Sequence, residues 1–325
     1  MHVLIIGAGA LGTIYAAYLS RAGHDVTLFA RGERANIIRE HGIAVSGIDE
    51  FVTRCAIATA DDPPASCDVL INAVKTYDNE AALNALQNVQ VSSAFSVQNG
   101  VQKNIALSDT FGSRATLGAV GMLGGEVTHV APGKPLGVCF NMPVGTTVGE
   151  LDGSSSARVD DIVTALSDSG LRANSSTDIQ SVAWSKFVGW SGVSALAVLT
   201  RLPTSEFMSR PETALLAGRV MRETAAVARA HGISLQPSGN SAPTIIDADE
   251  DDALASLLEG GQRSLITSRD FRQSILQDAD RGKPLEVDET LGYTLALARQ
   301  YDIDVPTLDF CCRILRVISE TQGAD

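Results

Sequence analysis

Positive charge is in short supply in this 325-residue chain: 25 Lys and Arg stand against 38 Asp and Glu, for a formal net charge of −13. That sign argues against nucleic acid or an anionic membrane as a partner. It leaves room for an anionic small ligand, because a local cluster of cations overrides the global sign. No uninterrupted apolar run approaches the roughly 20 residues of a membrane span. The start carries neither a basic segment nor a signal-peptide cleavage pattern. Cysteine is scarce too. Five residues, an odd number without metal-like spacing, point to a reducing, cytoplasmic setting and to no metal site. Cys311 and Cys312 fall in a helical pattern as packing residues. What remains, 45% hydrophobic and 19% charged, is the composition of an ordinary soluble globular protein, long enough for two domains.

The first chemistry-bearing feature is "IIGAGALG". Val3 to Ile6 is a short apolar run that suits a strand buried on both faces. Gly7, Gly9 and Gly12 then spell G-x-G-x-x-G. Gly7 allows the tight turn, Gly9 lets the backbone approach a pyrophosphate, and Gly12 lets the next helix pack close to the sheet. That helix, from Leu11 to about Ala22, turns its first N–H groups toward the phosphates, including those near Ala10 and Leu11. Asp25 to Ala30 reads as the second strand. Where NAD-specific folds place an acidic residue, this chain has Arg31, which suits the 2′-phosphate of NADP. Arg34 is a second cation there, and Glu33 is a dissenting group able to bind a ribose hydroxyl. The expected cofactor is NADP.

Apolar strands continue at Val69–Val74, Ala94–Val97 and Ala115–Val120, alternating with helices. Such alternation predicts a Rossmann-type parallel sheet covered on both faces. Lys75 and Asn99 fall just past strand ends, where ligands bind in these sheets. The segment Glu126–Val148 reads as short β-runs extending the sheet's edge. "DADEDD" reads as an acidic exposed loop. Helices are expected at about Ile179–Leu199, from a Ser209/Glu212 capping box to Gly232, at Ser264–Asp280, from Pro284 to before Pro306, and at Leu308–Glu320. The chain thus divides into a nucleotide-binding domain, 1–176, and an all-helical substrate domain, 177–325, with the active site expected in a cleft between them.

These residues give the chain a resemblance to a family. "GAGALG", "AVKTYD" around Lys75, "VQNGVQ" around Asn99, "WSKF" around Lys186 and "SILQDADRGKPLEVD" from Ser274 to Asp288 occur in the order and spacing of the ketopantoate reductases. The resemblance runs nearly end to end. It implies reduction of a 2-oxo acid by NADPH, with Lys186 as catalytic lysine and Glu286 as its acidic partner. It also implies that Lys75, Asn99 and Ser274 line the cofactor and substrate cleft. The chemistry fits: hydride delivery leaves negative charge on oxygen, which an ammonium neutralises. Glu286, following Pro284, reads as lying in the first turn of a helix.

One departure stands out. Members with pantoate activity usually carry asparagines four and eight residues after the lysine, and this chain has Trp190 and Ser194. Taken as substrate-binding positions, they imply a less polar pocket and a different keto acid. A non-catalytic NADP sensor is the rival from another class, although it has no need for Lys186 and Glu286 together. A homodimer is left open.

Overall fold

The fully apolar run at the start becomes the central strand of a parallel sheet. In the computed structural model, which describes residues 1–237 and 242–322, the first unit comprises Met1–Gln98 and Lys103–Ile179. Its elements in order are β1 (His2–Ile6), α1 (Ala10–Arg21), β2 (Asp25–Phe29), α2 (Gly32–His41), β3 (Ile43–Gly47), β4 (Phe51–Thr53) and β5 (Ala56–Ala58). Then come β6 (Ser66–Asn72), α3 (Asn79–Leu86), β7 (Gln90–Ser96), α4 (Lys103–Phe111), β8 (Gly118–His129), β9 (Leu136–Gly149), α5 (Ala157–Asp168) and β10 (Ala173–Ser175). The main sheet runs β5-β2-β1-β6-β7, all parallel. β1 sends Val3 and Ile5 into one apolar core and Leu4 and Ile6 into another. A sheet covered on both faces demands this unbroken apolar sequence.

The strand order reverses between β1 and β6, and the register sets Ile6, Asn72 and Ser96 in one row at the carboxyl ends. Such a switch point is where open α/β sheets bind ligands.

The segment expected to extend this sheet does not do so. β8 and β9 form a long antiparallel hairpin that belongs to a second sheet, ordered β10-β9-β3-β4 with β8 on the far side of β9. β9 pairs in parallel with β3 and β10, which takes the hairpin into the second sheet. Of the strand expected at Ala115–Val120, a single parallel bridge from Ala94 to Thr116 remains on the main sheet.

The second unit comprises Asn99–Gln102 and the chain from Gln180 onward. The first unit thus extends past the expected boundary at 176/177 and gives up one tetrapeptide. The helices are α6 (Ile179–Thr200), α7 (Thr204–Met208), α8 (Pro211–Ala230), α9 (Pro243–Ile246), α10 (Glu250–Thr267), α11 (Ser274–Asp280), α12 (Tyr293–Gln300) and α13 (Pro306–Gln322). α6 is long and apolar enough, by composition, to cross a membrane, yet most of its surface is buried. It supplies Trp184, Phe187, Val188 and Leu196 to the unit's core, and a helix buried on all sides needs an apolar residue at nearly every position.

Three helix expectations are corrected. Ser209 does not cap α8: Pro211 occupies the first turn, Arg210 is the cap, and Ser209 Oγ instead donates to Glu206 O. Proline's fixed φ sets the start. The "DADEDD" segment is not a loop, because Asp249 accepts from Asp252 N and caps α10, whose first turn holds Glu250, Asp251 and Asp252. Carboxylates there meet the positive end of the helix. The helix expected at Ser264–Asp280 is therefore two, with a break from Ser268 to Gln273.

Candidate functional site

Gly7 leaves β1 with φ +101°, and a Cβ there would strike Val74 at 2.8 Å. Gly12 stands so near that a Cβ would lie 2.0 Å from Gly7 O. These two contacts press the start of α1 against the turn, as close helix–strand packing requires. Around Gly9 the situation is the reverse, since a Cβ there would meet nothing within 4 Å. Gly9 is also the N-cap of α1 and has no side chain to cap it. Ala8 and Gly12 are buried, while Gly9, Ala10 and Leu11 remain partly exposed. The main-chain N–H groups of that first turn and the helix dipole form a cradle for an anion. The residues fit a dinucleotide pyrophosphate.

At the end of β2, Arg31 is the N-cap residue of α2, and its side chain is 81% exposed. Its guanidinium pairs with Asp78 Oδ1 at 2.7 Å. Arg34 is placed differently from the sequence reading. It donates to Ala8 O at 3.0 Å and so ties α2 to the glycine turn. Glu33 is exposed. Lys75, half-buried, precedes a short 3₁₀ turn over Thr76–Asp78, and its carbonyl accepts from Asp78 N at 2.9 Å.

Behind that turn lies a polar network which the sequence reading missed. Gln98 Nε2 donates to Val74 O at 2.8 Å and to Asn79 Oδ1 at 3.2 Å. Asn72 Nδ2 donates to Asn79 Oδ1 at 2.7 Å, and Ser96 Oγ donates to Gln98 Oε1 at 2.9 Å. Lys103, itself buried, donates to Gln98 O at 3.0 Å. Asn72, Ser96 and Gln98 are all buried. Buried polar groups persist where each is paired, and a paired network fixes the backbone around it. The available signal was a carboxamide directly after each apolar strand, within the same "VQNGVQ" and "INAVKTYDN" stretches.

In the second unit, Lys186 Nζ donates to Asn99 Oδ1 at 3.1 Å. Asn99 thus belongs with the helical unit: Val101 packs on its core and Gln102 Nε2 donates to Glu289 O at 3.0 Å. Lys186 keeps part of its side chain accessible, and burial still lowers its ammonium from 10.5 to about 8. Glu286 is buried. It does not sit in the first turn of a helix: Lys283–Val287 is non-helical, and a π-helical turn begins at Asp288 and runs into α12. Leu285 N instead donates to Ser319 Oγ at 2.9 Å and Val287 N to Leu285 O at 2.9 Å, bonds that hold this stretch out of a helix. Thr290 Oγ1 donates to Glu286 O, anchoring that backbone. Ser274 is exposed at the first residue of α11.

Trp190 and Ser194 take core positions. Trp190 is 9% exposed and stacks on Phe187, ring centroids 5.7 Å apart. Ser194 is fully buried and its hydroxyl donates to Ser191 O at 3.1 Å. No group of three or more His, Cys, Asp or Glu able to hold a metal occurs among the described residues.

Comparison with known proteins bears on the same segments. The family model "Ketopantoate reductase PanE/ApbA" matches residues 3–153, and "Ketopantoate reductase PanE/ApbA C terminal" matches residues 178–319. A 2-dehydropantoate 2-reductase from Archaeoglobus fulgidus is 28% identical over 306 residues, covering 93% of this chain and 92% of its own length. Among solved structures, a PanE/ApbA family ketopantoate reductase from Ralstonia eutropha JMP134 has a TM-score of 0.82 at 23% identity, covering 99% of this chain and 100% of its own. D-mandelate dehydrogenase in a ternary complex with NADH and anilino(oxo)acetate has a TM-score of 0.82 at 19% identity and covers 100% of both chains. The two structures share this chain's fold.

Proposed function

Because the chain belongs to the ketopantoate reductase family, we propose that it reduces a 2-oxo acid with NADPH, 2-dehydropantoate (ketopantoate) first among candidates and pantoate its product. The observation that carries this reading is Lys186, a lysine held near pH 8 and hydrogen-bonded to Asn99. Gly7, Gly9, Ala10, Leu11 and Gly12 receive the pyrophosphate, and Arg31 receives the 2′-phosphate. Lys75 and Asn99 serve the cofactor as well. When bound, NADPH supplies the hydride.

Lys186 then does two things. Its ammonium draws the substrate carbonyl, and its Nζ proton passes to the oxygen as the C–H bond forms, leaving a hydroxyl and a neutral amine. A value near 8 suits this, because the lysine stays protonated at neutral pH yet gives up its proton far more readily than an ordinary lysine. Asn99 holds Nζ in place. Glu286 serves as the acidic group beside the substrate hydroxyl, and Ser274 as a further substrate contact.

A second reading is a different 2-oxo acid. What favours it is the fold shared with D-mandelate dehydrogenase, solved with NADH and anilino(oxo)acetate. Steady-state NADPH oxidation with ketopantoate, an apolar branched 2-oxo acid and an aromatic one separates the two. The highest kcat/KM with ketopantoate supports the first reading, and a higher value with another acid supports the second. No oxidation with any of them overturns the reductase reading in favour of an NADP-binding sensor.

A further inference from the structure

We propose that Asp78 is a specificity-determining residue for the cofactor: its carboxylate, held against Arg31, opposes the 2′-phosphate of NADPH and narrows the margin over NADH. This rests on the reading above that the first unit binds a nicotinamide dinucleotide.

Arg31 is the cation at the end of β2, while Arg34 is drawn into the glycine turn by Ala8 O. Arg31's guanidinium meets Asp78 Oδ1 at 2.7 Å. Asp78 is no freely swinging surface charge. Its side chain is 35% exposed, and its backbone closes the 3₁₀ turn through Lys75 O. The next residue, Asn79, accepts from Asn72 and Gln98, both buried. Gln98 also grips Val74 O, and Val74 is the residue packed against Gly7. The polar network therefore registers the carboxylate to the glycine turn.

A phosphate seeking Arg31 carries between one and two negative charges and must displace Asp78 or lie beside it. Like charges in contact disfavour one another. The ribose 2′-hydroxyl of NADH meets no such repulsion, and as a neutral donor it hydrogen-bonds a carboxylate, where the phosphate brings like charge. Exposed Glu33 adds to the same bias.

The test is binding rather than turnover. Dissociation constants for NADPH and NADH are measured by calorimetry at one low ionic strength for the unmodified chain, Asp78→Asn and Asp78→Ser. Both variants are expected to raise the ratio Kd(NADH)/Kd(NADPH) by about tenfold, chiefly through tighter NADPH. At 1 M salt that gain is expected to shrink severalfold, because screening removes charge repulsion. Retained NADH binding shows that each variant folds. An unchanged or lowered ratio, with both nucleotides still bound, overturns the proposal and leaves the functional reading intact. Failure of the unmodified chain to bind either nucleotide overturns both.

Discussion

At the glycine turn the groups proposed to meet a ligand are main-chain N–H groups, and what leaves them bare is the lack of side chains at Gly7, Gly9 and Gly12. At Lys186 the proposed acting group is one long side chain, set in a helix most of whose other residues pack in the core. The first kind of site is written in spacing, because a missing Cβ is needed at fixed offsets from a strand. The second kind is written at a single position, and nothing in the surrounding apolar pattern marks it. The two regions also differ in tolerance. The turn is expected to fail when an atom is added at Gly7 or Gly12, whereas the helical site is expected to fail when its one charged side chain is removed, and the helix when a packing residue is made polar.

That contrast is broken most sharply at Lys186. Lys186→Ala is expected to lower kcat by about two to four orders of magnitude, the scale of a lost general acid. NADPH affinity, measured by calorimetry, is expected to stay within about threefold, because the turn's main-chain groups are untouched. Normal turnover in the variant shows that another group supplies the proton.

The next effect concerns the packing side of α6. Trp190→Asn with Ser194→Asn places two carboxamides in the apolar core and removes a stacked indole. We expect a loss of about 3–5 kcal/mol in urea unfolding, the scale of deleting a large aromatic from a core, and no shift of kcat/KM toward ketopantoate. A stable double variant with a tenfold gain for ketopantoate reassigns both positions to the substrate pocket.

A smaller pair of changes tests the turn itself. Gly12→Ala puts a methyl group 2.0 Å from Gly7 O, so a stability loss of about 1–3 kcal/mol is expected from overpacking, together with weaker NADPH binding. Gly9→Ala, with open space around its Cβ, is expected to unfold like the unmodified chain and to weaken only the nucleotide. If the two substitutions cost the same stability, Gly9 is a packing glycine rather than a ligand-facing one.

How much of this was legible follows from the same contrast. The turn and four of the sheet's strands, β1, β2, β6 and β7, could be read because buried strands need apolar runs and the turn needs its glycines; β5, only Ala56–Ala58, was too short to mark itself. The β8–β9 hairpin was misread because its Pro- and Gly-broken runs give no clue to which sheet they join. The acidic cap of α10 was taken for a loop because clustered carboxylates mark solvent and helix starts alike. Lys186 and Glu286 entered through their likeness to a family; a lone Lys or Glu is otherwise indistinguishable from a surface charge. The Asn72–Gln98–Asn79 network and the Arg31–Asp78 pair arise only from tertiary approach, across 26 and 47 residues at their widest.

The most direct measurement is the pH dependence of kcat/KM for the preferred 2-oxo acid with saturating NADPH, from pH 6 to 10. Burial lowers the Lys186 ammonium to about 8, so its proton is present below that value and lost above it. The same shift makes the charged lysine a cost to folding below about pH 8, lifted as pH rises toward 10.5, so stability moves opposite to activity. The account predicts a plateau on the acid side, then a fall of about tenfold per unit above about pH 8, with that break absent from the residual activity of Lys186→Ala. A rate that stays level through pH 10, or a break that survives in Lys186→Ala, contradicts Lys186 as the proton donor.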